Sequence, residues 1–199
     1  MTDAADGLLD ALDALAPLAP AERDALRATV SVRRVARGEA VHREGERCGV
    51  VWYVHAGVLR THVTPGGDDR TLHFAPEGEM VTDYESLLTG APGRLGIEAV
   101  EASTLAVLPG AAIAWAYETL PQGDRIGRRV AEALFLASHR RLRSFYLDTA
   151  EARYLHFVET YPGLVQRVPQ HLIASYVGVR APSLSRIRRR LAGRGSSPG

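Results

Sequence analysis

The sequence contains one cysteine, Cys48, and no lysine among its 199 residues. A single thiol cannot form an internal disulfide, a multi-cysteine zinc site or a cysteine-ligated iron–sulfur cluster, which excludes the oxygen-sensing chemistry of such clusters. Long apolar runs are also missing, since no stretch approaches the roughly 20 apolar residues of a membrane helix. The start, MTDAADG, has acids where a secretory signal has Lys or Arg. We therefore expect a cytoplasmic protein without membrane contact.

Charge is unevenly distributed along the chain, although its net value is only +1. Residues 151–199 hold 8 Arg and 2 acidic residues, whereas residues 1–150 hold 16 Arg and 21 acidic residues. The C-terminal part is therefore basic by 6 charges and the remainder acidic by 5. This asymmetry indicates that the C-terminal part binds a polyanion.

Short strands dominate the sequence up to about residue 109, after two amphipathic helical segments near the start. Val30–Val35 alternates as a strand does, and turn residues such as Pro65-Gly66-Gly67-Asp68 separate the runs that follow. No helical pattern interrupts the series, so we expect an antiparallel β-barrel or jelly roll and not a parallel α/β sheet. The six further runs are 40–42, 50–54, 58–63, 71–74, 97–100 and 104–108.

A long helix is predicted from about Asp124 to Leu147, roughly 36 Å of rod at 1.5 Å per residue. It carries a narrow stripe with small residues in its middle, which suits close approach of a second copy of the same helix. The predicted dimer interface is this stripe, formed by Ile126, Val130, Ala133 and Ala137. A helix that lies on its own barrel is the alternative.

The segment from Gln170 to Leu191 fits a helix-turn-helix position by position. Such a unit needs a small residue where its two helices touch, here Ala174, and four residues later one that tolerates positive φ, here Gly178. Apolar residues at helical spacing then complete a small core beside Leu191. The predicted core consists of Ile173, Ala174, Val177, Gly178, Leu184 and Ile187.

The opposite face of the second helix carries hydroxyls and arginines that can enter a DNA major groove. Arg donates two hydrogen bonds to guanine, while flanking Arg and hydroxyl groups hold phosphates. A solvated basic face on an ordinary terminal helix is the alternative. The predicted DNA-binding residues are Gln170, Arg180, Ser183, Ser185, Arg186, Arg188, Arg189 and Arg190.

The order of barrel, long helix and terminal helix-turn-helix resembles the Crp/Fnr family of bacterial regulators. The barrel motifs that carry the resemblance are Arg37-Gly38-Glu39, Arg43-Glu44-Gly45-Glu46, Gly57-Val58-Leu59-Arg60 and Pro76-Glu77-Gly78-Glu79. The more specific motifs are Ala174-Ser175-Tyr176-Val177-Gly178 and Leu184-Ser185-Arg186-Ile187-Arg188. Arg186 corresponds to an arginine of that family's recognition helix, whereas Pro182 stands at its acidic base-contacting position.

The resemblance implies an α+β protein with a cyclic-nucleotide-binding type of barrel in residues 1–122, a dimerisation helix in 123–148 and a helix-turn-helix domain in 149–199. It further implies a non-enzymatic transcription regulator that binds palindromic double-stranded DNA as a homodimer and contacts RNA polymerase. Each recognition helix would enter a major groove roughly 34 Å from the other.

The effector loop departs from that of the cyclic-nucleotide receptors in the family. Thr82-Asp83 replaces their Gly-Glu pair, and Arg94-Leu95 comes one place late and lacks the hydroxyl of their Arg-Ser or Arg-Thr pair. We therefore expect no cofactor. A cyclic AMP or GMP receptor stays open as an alternative, with Asp83, Glu85 and Arg94 as the candidate effector pocket.

A metal-dependent jelly-roll enzyme is a third alternative, because such barrels gather histidines on facing strands. His55, His62 and His73 lie on barrel segments, but no His-x-His pair with a following carboxylate occurs. We therefore expect no metal and no catalytic residues.

Overall fold

The computed structural model of the protein describes residues 3–194. Two helices, α1 (Ala4–Leu15) and α2 (Pro20–Arg27), precede the sheets. The strands are β1 (Ser31–Val35), β2 (Ala40–His42), β3 (Val50–Ala56), β4 (Leu59–Val63), β5 (Arg70–Ala75), β6 (Met80–Val81), β7 (Gly96–Ala99) and β8 (Ser103–Pro109). The later helices are α3 (Tyr84–Thr89), α4 (Gly110–Thr119), α5 (Gly123–Leu147), α6 (Ala150–Thr160), α7 (Gln170–Val177) and α8 (Ala181–Arg194).

Two four-stranded antiparallel sheets form the N-terminal domain, in the orders β1-β8-β3-β6 and β2-β7-β4-β5. Alternating apolar side chains point between the sheets, and Val54, Leu59, Ala75, Ile97 and Leu105 are fully buried there. The predicted antiparallel jelly roll is therefore confirmed.

The prediction that no helix interrupts the strands is wrong, because α3 lies between β6 and β7. The carboxylate of Asp83 caps this helix by accepting from the Ser86 amide at 3.1 Å, and Gly90 ends it with a φ of 68°. A helix of six residues next to a strand of two residues has too few turns to show a period.

The long helix α5 begins and ends within one residue of its predicted bounds. Its first turns pack on the protein's own N-terminal helices, where Ile126 joins the apolar cluster of α1 and α4. Every residue from Glu132 to Arg140 is exposed, including Phe135 at 68%. The middle of α5 thus has water on all sides in a single copy of the chain.

The C-terminal helices share one apolar cluster with the barrel. Barrel residues Val58, Phe74 and Val100 belong to the same cluster as α6 residue Phe157 and α7 residue Tyr176. The C-terminal helices are thus seated on the sheet that contains β4 and β5. None of the described helices is both long and apolar enough to span a membrane.

Candidate functional site

Helix α7 and helix α8 are joined by a tight turn at Gly178, whose φ is 78°. The turn is closed by the amide of Val179, which donates to the carbonyl oxygen of Ala174 at 2.9 Å. A left-handed residue at this place favours glycine, because a Cβ atom would clash with the following carbonyl. The chain therefore reverses from α7 into α8 within three residues.

The predicted core residues of this helix pair are buried except Gly178, which is exposed in the turn. Ala174 lies at the contact between the helices with 1% exposure, and Leu184 and Ile187 turn one face of α8 inward. Leu191 continues that face and is partly buried against the same cluster. One face of α8 is thereby fixed against α7 and α6, which leaves the opposite face for solvent.

The outward face of α8 carries most of the residues predicted to contact DNA. Ser185, Arg186 and Arg189 are exposed, whereas Ser183 and Arg188 are half-buried at the edge of the face. The guanidinium of Arg186 donates to the Ser183 hydroxyl at 2.9 Å, which orients Arg186 along the helix surface. The face is thus a cationic ridge, defined here as Ser185, Arg186 and Arg189.

The remaining predicted contact residues flank the cationic ridge. Arg190 is exposed but pairs with Glu151 on α6, so its charge is partly engaged within the protein. Gln170 is the exposed first residue of α7, and Arg180 precedes α8, where its carbonyl oxygen accepts from the Ser183 and Leu184 amides. Pro182 lies in the first turn of α8, where a missing backbone N–H costs nothing.

Ser175 on α7 fastens the helix pair to the barrel through two main-chain groups of one strand region. Its hydroxyl donates to the carbonyl oxygen of Asp69 at 3.0 Å and accepts from the amide of Thr71 at 2.9 Å. One hydroxyl thus serves as donor and acceptor between the two elements. This contact was not predicted from the sequence; its signal is a serine among the apolar residues of segment 172–177.

Aromatic side chains form the rest of the contact between the barrel and the C-terminal helices. The Phe74 ring lies 5.9 Å from Phe157 and 5.4 Å from Tyr176, both typical of packed rings. Tyr161 contacts His73 with its hydroxyl 3.3 Å from Nδ1, and burial strongly raises the pKa of this phenol. His73 in turn lies 2.9 Å from the Glu79 carboxylate. Through these contacts the helix pair that bears the cationic ridge packs against the sheet.

The stripe predicted as a dimer interface is divided between two environments. Ile126 packs inside its own chain against α1 and α4, and Val130 is half-buried. Ala133 and Ala137 are exposed. The large exposed apolar residues of α5 include Phe135, Leu142 and Tyr146, which lie on the side of the helix away from Ile126. The alternative prediction, that the long helix lies on its own barrel, thus applies only to the first turns of α5.

The candidate effector residues do not converge on one pocket. Asp83 is 1% exposed, and its carboxylate accepts from the Leu95 amide at 3.2 Å as well as from Ser86. Glu85 and Arg94 are exposed, and among the described residues no ion pair joins Arg94 to either acid. A Cβ atom at position 93 would overlap the Asp83 carboxylate, so the loop backbone closes on Asp83. The carboxylate therefore occupies the interior of this loop.

Two cavities lie elsewhere in the described structure. One of about 270 Å³ is lined by Pro109, Ala112 and Trp115, and is almost wholly apolar. The other, of about 140 Å³, lies between the barrel and the start of α7 and is lined by residues that include Arg60 and His171. Arg60 already donates to both carboxylate oxygens of Asp69 at 2.7 and 2.6 Å, which leaves little free charge there.

Metal-ligating side chains are dispersed. Within residues 3–194 no group of three or more His, Cys, Asp or Glu side chains is placed to hold a metal ion. Cys48 is buried, with its sulfur 3.2 Å from the Thr82 hydroxyl.

The barrel part of the chain matches a known domain family. Residues 32–119 match the family described as "Cyclic nucleotide-binding domain". No curated protein matches the chain.

Solved structures match over most of the chain. FixK2 from Bradyrhizobium japonicum superimposes with a TM-score of 0.74 at 18% identity, over 85% of this chain and 89% of FixK2. CLP from Xanthomonas campestris, described as a c-di-GMP responsive global regulator, gives 0.70 at 16% identity over 91% and 96%. A protein of Eubacterium rectale described as a Crp/Fnr family regulator gives 0.68 at 15% identity over 89% and 85%. The chain therefore has the fold of Crp/Fnr regulators, and the resemblance found in the sequence is confirmed at that level.

Proposed function

We propose that this chain is a sequence-specific DNA-binding transcription regulator of the Crp/Fnr type. It binds palindromic operators in double-stranded DNA as a homodimer in the cytoplasm, and it acts with RNA polymerase and not as an enzyme. The observation that carries the proposal is the cationic ridge of α8, which faces solvent while the other face of the helix is buried.

The ridge has the chemistry that a major groove requires. Arg186 and Arg189 lie three residues apart on one exposed face, so both guanidinium groups reach the same groove. Arg186 is held by Ser183 and suits bidentate donation to guanine, whereas Arg189 and the flanking Arg180 and Arg188 suit phosphates. The half-engaged Arg190 contributes less, since Glu151 competes with phosphate for it.

The middle of α5 supports the proposed homodimer. Nine consecutive exposed residues, Ala133 and Ala137 among them, leave a helix segment that a second copy can cover. Pairing along this helix would place the two α8 helices on the same side of the dimer, as two adjacent major grooves require. Ala133 and Ala137 allow close approach there, while Ile126 supports the helix from within its own chain.

The regulator needs no cyclic nucleotide. The buried carboxylate of Asp83 accepts from the Leu95 amide, and a carboxylate at this position repels a phosphate. We propose that an effector, if the cell supplies one, binds elsewhere and acts by favouring one of two arrangements of α5.

Selection of duplexes from a random-sequence pool tests the proposal. The wild-type protein should enrich a palindromic sequence, with binding that weakens steeply as salt rises. Arg186→Ala should lose about 1–3 kcal/mol of discrimination against the wrong base while the protein stays folded and dimeric. Arg47→Ala, which removes an exposed arginine on the barrel, is the matched control and should leave the enriched sequence unchanged.

Two results would contradict the proposal. The first is a wild-type protein that ignores duplexes of every sequence at low ionic strength. The second is an Arg186→Ala variant that enriches the same sequence with the same stringency, because the ridge would then not read bases.

A further inference from the structure

Arg141 on α5 joins the long helix to α7 through its guanidinium group, and the residue is half-buried. Its carbon Cζ lies 3.7 Å from the centre of the Tyr176 ring and 4.6 Å from the centre of the Phe145 ring. One of its terminal nitrogens also donates to the backbone carbonyl of Tyr176. Arg141 therefore contacts both the ring and the main chain of Tyr176.

The neighbouring residues close this contact into a joint, defined here as Arg141, Phe145, Arg153, Tyr176 and Gly178. The Phe145 ring lies against the turn between α7 and α8, where a Cβ atom on Gly178 would come within 2.7 Å of it. Arg153 of α6 covers the Phe145 ring at 5.1 Å and donates to the Val177 carbonyl at 2.7 Å. The end of α5 thereby packs against the end of α7 and the turn that leads to α8.

The cost of burying Arg141 indicates that packing alone does not account for it. Its Nε has no hydrogen-bond partner among the described residues, and burial lowers the pKa of the guanidinium. An apolar side chain would fill the same space without leaving a buried donor unpaired. The guanidinium fixes the orientation of Tyr176 relative to α5, because its plane must lie on the Tyr176 ring while one N–H donates to the Tyr176 carbonyl.

Tyr176 also lies at the contact between the barrel and helices α7 and α8. Its ring packs on Phe74 of β5, and the preceding Ser175 is bonded to the main chain of Asp69 and Thr71. Arg141 thus contacts a residue of α7 that the sheet also contacts. A rotation of α5 would move Tyr176 and, through the Gly178 turn, the axis of α8.

We propose that Arg141 is a positioning residue that makes α7 and α8 follow the orientation of α5, and so sets the spacing of the two DNA-reading helices. The inference rests on the proposed DNA-binding function for its consequence, but not for the mechanical link itself. Arg141 contacts no DNA in this proposal, since its guanidinium is enclosed between Phe145 and Tyr176.

The mechanical link can be measured without DNA. Spin labels are attached at Ser138 on α5 and Ser185 on α8, both exposed, in a Cys48→Ala background. Doubly labelled protein is mixed with excess unlabelled protein, so that the distances measured lie within one copy. We expect a narrow distance distribution that Arg141→Met broadens about twofold, because a flexible thioether holds neither ring nor carbonyl.

Matched variants separate this role from general stability. Arg143→Met removes an exposed arginine two residues away and should leave the distribution narrow. If Arg141→Met does not fold, Arg141→Lys replaces it in the same measurement, since lysine keeps the charge but loses the planar fork. An unchanged narrow distribution in the Arg141 variant that folds would overturn the proposal.

The consequence for DNA is tested with duplexes that the wild-type protein has selected, lengthened by one base pair between the half-sites. The wild-type protein should lose about tenfold in affinity, because the spacing of its reading helices is fixed. Arg141→Met should lose only about threefold on the lengthened duplex, because flexibly attached helices tolerate both spacings. An equal loss of affinity in the two proteins on the lengthened duplex would refute the coupling. A wild-type protein that selects no duplex would refute the DNA-binding function, and the spin-label distances would then decide whether Arg141 couples α5 to α7 and α8.

Discussion

The guanidinium of Arg167 donates to both carboxylate oxygens of Glu77, with nitrogen–oxygen distances of 2.5 and 3.1 Å. Arg167 precedes α7, and Glu77 lies in the barrel loop between β5 and β6, so the pair crosses between the two parts of the protein. The same guanidinium reaches Glu101 on another barrel loop. This exposed ion-pair group adds to the aromatic cluster that seats the C-terminal helices on the sheet.

The Glu77 pair predicts a pH-dependent stability. Arg167 lowers the pKa of Glu77 from 4.5 to about 2, so the pair stabilises the fold fully above about pH 4.5 and loses that effect as the pH falls towards 2. We expect Glu77→Gln to lower the free energy of unfolding by roughly 1 kcal/mol at pH 7, a value reduced by solvent screening, since Glu77 is 40% exposed. Urea unfolding at pH 7 and pH 3 measures the difference.

At pH 3 the difference between the wild type and Glu77→Gln should become clearly smaller. Glu118→Gln, at an exposed position on α4, should have little effect at either pH. A destabilisation by Glu77→Gln that is the same at both pH values would show that the charge of Glu77 is not what stabilises the contact.

Gly178→Ala should destabilise the protein by at least about 1 kcal/mol, the cost of a left-handed backbone in an L-residue with a Cβ atom. The clash of this Cβ with Phe145 adds to that cost. Gly163→Ala is the control, because a Cβ atom at Gly163 meets open space and its φ is not positive. Thermal unfolding of both variants should show a loss at position 178 only, and equal melting temperatures would contradict the assigned turn.

Arg189→Ala should lower the salt dependence of DNA binding. If Arg189 contacts one phosphate, its removal reduces the slope of log affinity against log salt by about 0.9, since one counterion fewer is released. Titrations of a selected duplex at several salt concentrations measure the slope. Arg140→Ala, at an exposed position on α5, should leave the slope unchanged, and an unchanged slope in Arg189→Ala would place Arg189 away from the phosphates.

Cyclic AMP and cyclic GMP should not stabilise the protein. A ligand at about 100 times its dissociation constant raises the free energy of unfolding by about 2.7 kcal/mol, which thermal unfolding detects readily. We expect no rise, because the Asp83 carboxylate already occupies the loop and accepts from Leu95. A concentration-dependent rise in melting temperature with either nucleotide would contradict this prediction and favour the cyclic-nucleotide receptor.

Local patterns in the sequence were sufficient for the elements that repeat over several turns or pleats. The bounds of α5 and most strands could be predicted, because a helix of 25 residues and strands of five to seven show their periods clearly. The exposed and buried faces of α8 also follow from spacing, since Leu184, Ile187 and Leu191 lie on one side of the helix.

Contacts between distant segments could not be predicted in the same way. Phe74, Phe157 and Tyr176 meet although they belong to three separate elements, and nothing in their local spacing indicates it. Ile126 was predicted at a dimer interface but packs against its own chain. Its apolar side chain suits a second copy and the chain's own α1 equally well. The role of Asp83 was hidden as well, since an acid before a short helix reads equally as a cap and as a ligand contact.

The bridge from Ser175 to the barrel ends on main-chain atoms of Asp69 and Thr71. Every amino acid presents that carbonyl, and every one but proline presents that amide. The bridge itself therefore requires a particular side chain only at position 175. The Asp69 and Thr71 side chains are left to a second task on the same strand region, because both accept hydrogen bonds from Arg60.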